Sequence, residues 1–403
     1  MVLTLKFYTS ASYRSIHKII SIICFYTGID FKAPSHTTIL NWTKKMGLYH
    51  IQKPKPQDDD WVVILDESIE FGNEKMLAVL GIREKDIDFN RPLHYHDLEC
   101  LDLKISSSWK GEDIKEVIDQ TREHIGEIKY AVADMGNAIK KSLRLSEIPH
   151  VEDLTHKLSW IIKQIYEKDP EFISYTKKLA YLRGSIPLSK LSYILPPAQR
   201  VNSRFMNLKP MLDWSNAIIN LLKSDKKIPE ERKKLQFILD YESLIKELTQ
   251  IVKKAIRIQE ILKNKGVSKK TINVCKQLFP KSLKSTKLKT FKNEVISYLM
   301  KMYEINHKLG SNKVICSSDI LESSFGKYKS FIHVNPSIGI TDLSLAIPAF
   351  ISNFKEQKDV CDACETIKIK DVKRWGNENI GKTLLKKRQE AFSKLGENNQ
   401  VVL

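Results

Sequence analysis

Two aspartates follow apolar segments that have the composition of buried strands. Asp66 comes directly after the apolar run of residues 61–65, and Asp134 comes directly after the run of residues 128–133. A carboxylate at the end of a strand is held by a rigid scaffold, where α/β sheets place their functional side chains. Two adjacent carboxylates repel each other and attract a divalent cation, and oxygen ligands suit Mg²⁺ or Mn²⁺. Two such ions, about 3.5–4 Å apart, would activate an attacking oxygen and stabilise a leaving oxygen in phosphodiester chemistry.

A third carboxylate, Glu322, lies in the segment SDILESSFGKYK of residues 318–329. On a functional interpretation, Glu322 projects from a helix toward the aspartate pair as a third ligand, and Lys327 and Lys329 contact a DNA backbone. The alternative is a capping box in which Asp319 is the cap and Glu322 is its partner three residues later. The two aspartates have a similar alternative, because Asp at the end of a strand often forms a turn or caps a helix.

Two further pairs of residues have less specific signals. Asp153 and His156 follow a short strand, and His156 could be a general base or a metal ligand. The pattern favours a structural junction in which the two residues are joined by a hydrogen bond. Cys361 and Cys364 form a lone CxxC motif, whereas a zinc site needs four ligands and no second pair is near.

Hydrophobic periodicity predicts the scaffold that must position these residues. Five strands and two amphipathic helices are predicted in the order β-β-β-α-β-α-β. The strands are predicted over residues 61–65, 75–82, 98–105, 128–133 and 150–152, and the helices over residues 111–125 and 137–145. In this order the first and fourth strands can lie side by side, which would bring Asp66 and Asp134 together. The predicted fold class is therefore an α/β core.

The first fifty residues predict a helix-turn-helix. One helix is predicted over residues 12–26 and ends at Gly28; a second is capped by Ser35, covers residues 37–46 and ends at Gly47. The polar residues of the second helix and its cap are the candidates for DNA contact: Ser35, Thr37, Thr38, Asn41, Lys44 and Lys45. An ordinary helical hairpin is the alternative. The charged, proline-containing residues 53–60 predict a linker.

A long helical region, residues 157–312, interrupts the α/β core and carries much of the positive charge. Residues 221–300 contain 20 Lys and Arg against 8 Asp and Glu. A merely solvated helical face usually has more interleaved Glu, so this excess favours binding along a phosphate backbone. The predicted domains are a helix-turn-helix segment at 1–56, a catalytic core at 57–156 and 313–357, the helical insertion at 157–312 and a basic tail at 358–403.

Composition narrows the class of protein. The chain has 403 residues, a net charge of +18, 42% hydrophobic residues and 28% charged residues. These values exclude a disordered chain, predict more than one domain, and favour a polyanionic partner, with nucleic acid ahead of an anionic membrane. Six scattered cysteines are not a disulfide framework and fit a reducing cytosol. The sequence has no apolar stretch of 18 residues, so no membrane span is predicted.

With these motifs, the chain resembles a DDE-type transposase of a bacterial insertion sequence, with an RNase H-like catalytic core. Four segments carry the resemblance. SHTTILNW at 35–42 is similar to a recognition helix, and LDES at 65–68 matches the first-Asp motif. ADMGN at 133–137 with HVEDLTH at 150–156 matches the second-Asp segment, and SSDILESSFG at 317–326 matches the Glu motif. The resemblance extends from residue 13 to about residue 354.

The resemblance implies that Asp66, Asp134 and Glu322 bind two Mg²⁺ ions, with Mn²⁺ as a substitute. Water and then a DNA 3′-hydroxyl would attack phosphodiesters at the element ends and in the target. The implied partners are double-stranded DNA, as inverted repeats and as target, and a second copy of the chain, because two ends must be paired. An insertion domain would occupy the 188 positions from Asp134 to Glu322. The implied location is the bacterial cytoplasm, in association with the nucleoid.

The sequence leaves two other functions open. One is a catalytically silent, domesticated relative that binds DNA as a regulator, although a pure binding protein does not require Asp66, Asp134 and Glu322 together. The other is an RNase H-like nuclease that cleaves DNA without joining strands.

Overall fold

The computed structural model describes residues 1–9, 11–68, 74–187, 189–199, 204–224, 229–332, 339–351 and 357–399. The chain divides into two compact units. The first consists of Met1–Asp88, Leu93–Val151 and Ser318–Leu403, and the second of Phe89–Pro92 and Glu152–Ser317. Within the described residues, no helix combines the length and hydropathy that a membrane span requires.

A mixed β-sheet is formed by five strands of the described chain. The strands are β1 (Asp58–Glu67), β2 (Lys75–Arg83), β3 (Glu99–Ser106), β4 (Gly126–Ala133) and β5 (His150–Glu152). Their order in the sheet is β3-β2-β1-β4-β5. β2 is antiparallel to both β1 and β3, whereas β1 and β4 are parallel neighbours. The predicted sequence of strands and the predicted pairing of the first with the fourth are therefore confirmed.

Helices surround the sheet in the first unit and form the second unit. Those of the first unit are α1 (Val2–Tyr8), α2 (Tyr13–Thr27), α3 (His36–Gln52), α4 (Gly111–Ile125), α5 (Asn137–Leu145), α13 (Asp319–Ile332), α14 (Ala346–Ile351), α15 (Gln357–Thr366), α16 (Ile369–Asn379) and α17 (Leu384–Asn399). Those of the second unit are α6 (Leu154–Tyr166), α7 (Pro170–Ser185), α8 (Leu208–Lys223), α9 (Pro229–Leu235), α10 (Glu242–Lys265), α11 (Lys269–Gln277) and α12 (Thr286–Lys308).

One face of the sheet packs against α4 and α5. Alternate residues of β1, Trp61, Val63 and Leu65, are buried there against apolar side chains of the two helices. Because successive side chains of a strand point to opposite faces, Val62, Ile64 and Asp66 belong to the other face. We call the apolar cluster between α4, α5 and the face of the sheet that carries Trp61, Val63 and Leu65 the α4–α5 core.

The predicted linker at residues 53–60 is wrong in its second half, because the three aspartates 58–60 begin β1. Asp58 pairs with Gly126 at the start of β4, and a side chain at Gly126 would clash with the Asp58 main chain. The Asp58 carboxylate forms ion pairs with Lys85 and Arg83. Strand pairing and these cations offset the low strand propensity of aspartate.

The predicted end of the second N-terminal helix at Gly47 is also wrong. α2 begins after the cap Ser12 and ends at Gly28, which adopts φ 67°, and α3 begins after the cap Ser35. However, α3 continues through Gly47 to Gln52. A Cβ atom at Gly47 would lie 1.8 Å from the Leu345 carbonyl oxygen. Gly47 therefore permits a close approach of main chains rather than ending the helix.

The C-terminal region is more helical than the sequence predicted. A 3₁₀ turn, Asp342–Leu345, precedes the short α14, and residues 352–356 lie outside the described residues. The basic tail contains α15, α16 and α17. The predicted capping box at Asp319 does not fit, because Asp319 is the first residue of α13 rather than its cap.

The two ends of the second unit's main segment are joined by its own backbone. The Leu154 amide donates a hydrogen bond to the Cys316 carbonyl oxygen at 2.8 Å. At the same place, Asp153 caps α6, because its Oδ1 accepts a hydrogen bond from the His156 amide at 2.7 Å. Asp153 and His156 thus form a helix-capping junction, and the contact uses the main chain of His156 rather than its imidazole.

Glu152 is a buried ionic anchor of the second unit. It is 6% exposed, and Lys301 and Lys157 lie 2.8 and 3.4 Å from its carboxylate oxygens. Burial alone raises the pKa of this carboxyl, but the two lysines outweigh burial and hold the pKa below its ordinary value of 4.5. Because the pKa is lower in the folded state, the charged carboxylate stabilises the fold at pH values above the pKa of the unfolded chain. This stabilisation is lost as the pH falls through the folded-state pKa.

We therefore expect Glu152→Gln to reduce the free energy of unfolding by about 2 kcal/mol at pH 7. The deficit should disappear in acid, below the folded-state pKa of Glu152. Urea unfolding followed by circular dichroism at both pH values checks this, with Glu260→Gln as the control because Glu260 forms an exposed ion pair with Arg257. A deficit that persists unchanged in acid would show that the ion pairs are not its cause.

Candidate active site

Asp66 and Asp134 occupy neighbouring positions on adjacent parallel strands. Leu65 of β1 pairs with Ala133 of β4. Asp66 is the next residue of β1, and Asp134 directly follows the last residue of β4. The apolar runs that precede them form these two central strands because both faces of the sheet are covered there. The structure therefore brings together the two aspartates that the sequence predicted to meet, and both are partly exposed.

A tight turn holds Asp134 at the end of β4. Its Oδ1 accepts a hydrogen bond from the Gly136 amide at 2.8 Å, and a Cβ atom at residue 136 would lie 3.0 Å from that oxygen. α5 begins at the next residue, Asn137. The turn-forming role that the sequence allowed for Asp134 is therefore real, but it uses one carboxylate oxygen and leaves Asp134 beside the end of β1.

The end of β1 is fixed by Ser68. Its hydroxyl accepts a hydrogen bond from the Met76 amide at 2.9 Å, and its own amide donates to the Met76 carbonyl oxygen at 2.8 Å. Ser68 is buried, so these bonds are shielded from water. They hold Asp66, two residues earlier, on the rigid β1–β2 hairpin rather than on a free loop.

Glu67 is a further carboxylate at this edge of the sheet, and it was not predicted from the sequence to be a site residue. Its pKa is raised, first by burial and also by the negative charge of Asp134, while Lys75 at 3.9 Å lowers it. Glu67 therefore lies close enough to Asp134 for the two carboxylates to repel each other. The signal in the sequence was the adjacent pair Asp66-Glu67, but alternation assigns Glu67 to the α4–α5 side of the sheet.

Glu322 lies in the first turn of α13 and is exposed. α13 packs against β1, yet none of its described residues belongs to the α4–α5 core. The helix therefore packs on the face of the sheet to which Asp66 belongs. Its buried residues Leu321, Phe325 and Tyr328 recur at helical spacing and fix its orientation.

A second contact ties α13 to the segment before β3. The hydroxyl groups of Ser323 and Tyr95 form a hydrogen bond, and the Lys327 ammonium lies 4.1 Å from the centre of the Tyr95 ring. Ser323 and Lys327 are one helical turn apart, so both reach the same ring. Lys327 is partly exposed beyond this contact, as is Lys329.

The residues predicted for DNA contact on α3 are only partly available. Lys44 forms an ion pair with Asp342 at 2.8 Å, and Lys45 donates a hydrogen bond to the Cys364 carbonyl oxygen at 2.7 Å. The Ser35 hydroxyl accepts from the Thr38 amide as the helix cap. Thr37 is exposed, whereas Asn41 is partly buried. The middle of α3 packs against other helices of its unit, and the fully exposed residues of α3 lie in its first turn and at its last residue, Gln52.

The donor chemistry of the carboxylates suits a hard divalent cation. Oxygen atoms at the adjacent ends of β1 and β4 are the ligands that Mg²⁺ or Mn²⁺ requires. Among the described residues, however, no group of three or more His, Cys, Asp or Glu side chains already has the arrangement of a metal site. Cys361 is exposed and Cys364 is partly exposed, both on α15.

The chain has a distant structural similarity to a solved structure. A structure described as the Drosophila P element transposase strand transfer complex aligns with 89% of this chain and 92% of that chain, at a TM-score of 0.45 and 11% sequence identity. No protein-family model matches the sequence, and no curated protein matches it. The basis for a function is therefore the set of carboxylates and the charge of this chain itself.

Proposed function

We propose that this protein is a DNA transposase that cleaves phosphodiesters at the ends of a mobile element and joins them to target DNA. The observation that carries the proposal is the juxtaposition of Asp66 and Asp134 on adjacent parallel strands, with the helix of Glu322 against the first of them. Carboxylates at the ends of adjacent hydrogen-bonded strands in a strongly basic protein suit metal-assisted chemistry on a polyanion.

The carboxylates would hold the metal ions that such chemistry needs. Asp66 and Asp134 supply hard oxygen donors from two strands, and Glu322 supplies a third from α13. Bound Mg²⁺ or Mn²⁺ would polarise the phosphodiester and stabilise the leaving oxygen. The hairpin hydrogen bonds of Ser68 and the turn at Gly136 keep the two aspartates in place before DNA binds, so little reorganisation is needed during the reaction.

The second unit supplies a basic surface for double-stranded DNA. Lys269, Lys270 and Lys289 are exposed on α11 and α12. Binding of their charges to phosphates releases counterions, which gives affinity without base specificity and a strong dependence on salt. We propose that this surface follows the backbone of the element end, while the exposed first turn of α3 reads bases.

The test of this function is a cleavage and joining assay on DNA that carries the inverted repeats flanking the coding region. We expect nicked and joined products in Mg²⁺ or Mn²⁺ and none in EDTA. Cleavage without joining would favour a nuclease, and salt-sensitive DNA binding without cleavage in either metal would favour a regulator. Both outcomes would contradict the proposal.

A separate prediction concerns the basic surface. The double variant Lys269→Gln/Lys270→Gln should weaken DNA binding about 10-fold for all sequences and reduce the slope of log K against log salt by about 2. Fluorescence anisotropy over a range of salt concentrations measures both quantities. The control is Lys209→Gln, because Lys209 on α8 is already paired with Asp213. An unchanged slope would remove these lysines from the DNA-binding surface.

A further inference from the structure

α2 is apolar on two faces, and only one of them is buried. Ile16 and Ile20 are fully buried in the core that joins the N-terminal helices to α14. At 100° per residue, Ile22 lies on the far side of α2 from these residues and is 56% exposed, whereas Ile19 and Ile23 flank the buried stripe and are 37% and 36% exposed. A helix of a globular protein normally presents a polar face to solvent, so an apolar second face indicates that another surface covers it.

The exposed face continues into the last turn of α2 and beyond. Phe25 and Tyr26 are 81% and 82% exposed, and Ile29 is 58% exposed. The two rings touch edge to face, with centroids 5.3 Å apart, and form one continuous aromatic surface. We call the surface formed by Ile19, Ile22, Ile23, Phe25, Tyr26 and Ile29 the α2 surface.

The size of the α2 surface fits a protein partner. Aromatic and aliphatic side chains exposed to these extents present on the order of 700 Å² of apolar area, more than the largest patch of a typical monomer. One partner in a stable protein–protein interface contributes about 800 Å². The α2 surface, with modest contributions from its rim, is therefore large enough for such an interface.

Charge along α2 indicates how two copies would pair. Arg14 and Lys18 lie in the first half of the helix, α2 contains no acidic residue, and the second half has no charge at all. At 100° per residue, Lys18 lies on the same side of the helix as Ile22 and Phe25. In a parallel pair of helices Lys18 would meet its own copy. In an antiparallel pair Lys18 would meet the Phe25 and Tyr26 rings, a favourable cation–π arrangement.

We propose that the α2 surface binds the same surface of a second copy of this chain, with the two α2 helices antiparallel about a twofold axis near Ile22. A DNA backbone does not fit this surface, because no cation lies between residues 19 and 29 to pair with phosphates. The contact is isologous, so it closes at a dimer and leaves no unpaired copy of the surface. It exists in the absence of DNA.

The test is the oligomeric state of the full chain without DNA, measured by sedimentation equilibrium. We expect a dimer for the wild type and a dissociation constant at least about 100-fold weaker for Ile22→Glu, which buries two charges at the axis. Phe25→Ser is the second variant; its exposed ring can be removed without disturbing the core. The matched control is Tyr181→Glu on α7, where the exposed fraction is 80%.

Cross-linking locates the twofold axis. Ile22→Cys should form a disulfide-linked dimer under mild oxidation, whereas the wild type, which has an exposed Cys361, should not. Three outcomes would overturn the proposal. They are a monomeric wild type, a dimer that Ile22→Glu and Phe25→Ser leave intact, and a monomer that floats with phosphatidylserine vesicles through the α2 surface.

Discussion

Replacement of Asp66 by Asn is expected to lower the rates of DNA cleavage and strand transfer by about 10³-fold, equivalent to about 4 kcal/mol of transition-state stabilisation. The amide has almost the same shape as the carboxylate but lacks its charge, and therefore binds a divalent cation poorly. Asp66 is only partly buried and belongs to neither apolar cluster of the described residues that flank the sheet or the N-terminal helices, so the fold should persist. DNA affinity, which we propose depends on the basic surface of the second unit, should stay nearly unchanged. Single-turnover cleavage and anisotropy titrations of the same preparation separate the two effects.

The adjacent residue supplies the sharpest control. Glu67→Gln removes the same charge one position along β1, but from the α4–α5 side of the sheet. Asp119→Asn removes a charge from α4, where Asp119 is exposed and paired with Lys115. Both controls should keep cleavage within about 10-fold of the wild type, because general charge effects at these positions are small. Equal losses in Asp66→Asn and Glu67→Gln would contradict a site on one face of the sheet, and an active Asp66→Asn would contradict the site itself.

Gly47→Ala is expected to be the most destabilising single-methyl substitution among the described glycines that lie within helices. The added Cβ would lie 1.8 Å from the Leu345 carbonyl oxygen and 2.7 Å from its carbon, and main-chain atoms cannot rotate away as a side chain can. α3 would have to separate from the turn before α14, which breaks the packing of the N-terminal core. We expect a loss of about 3 kcal/mol or more in the free energy of unfolding, measured by urea titration.

Gly184 is the matched control, because it also lies in a helix but a methyl group added there would meet no atom within 4 Å. Gly184→Ala should raise stability by about 0.5–1 kcal/mol, since alanine loses less conformational entropy in a helix. If Gly47→Ala were as stable as Gly184→Ala, the close approach of α3 to Leu345 would not exist in solution.

The strands of the sheet could be predicted because their signal is local. The helices α4 and α5 and the strand β5 have the predicted bounds, and the other strands differ by one to three residues at their ends. Both faces of the central strands are covered, so their sequences are nearly continuous apolar runs. The pairing of β1 with β4, and therefore the position of Asp66 beside Asp134, followed from the order of elements.

Features that depend on distant partners could not be read from the sequence. Gly47 looked like a helix end, because nothing local shows that Leu345 approaches it. The aspartates at the start of β1 looked like a linker, because their partners Lys85 and Gly126 are far away in sequence. Lys6 of α1 is buried and donates a hydrogen bond to the Ala11 carbonyl oxygen, a tertiary environment that a lysine in the sequence does not indicate.

The predicted site residues differ in how far geometry supports them. Asp66 and Asp134 lie at the ends of adjacent strands, and α13, which carries Glu322 in its first turn, packs against β1. Lys44 and Lys45 were selected as cations near the end of a short recognition helix, but the helix is longer and both are used within the protein. Glu67 could not be selected, because its proximity to Asp134 depends on the register of two strands that are far apart along the chain.

The hydrogen bond between Leu154 and Cys316 has a consequence for the order of folding. If residues 152–317 were unstructured, docking of α13 on β1 would close a very long loop, at an entropic cost of about 4–5 kcal/mol. A folded second unit already holds its two ends together, so the loop-closure entropy has already been lost when α13 docks on β1. The helix that carries Glu322 should therefore dock cooperatively with, or after, the folding of the second unit. A substitution in the second unit, such as one that loosens α6 or α12, would then weaken the attachment of α13 without changing Asp66, Asp134 or Glu322.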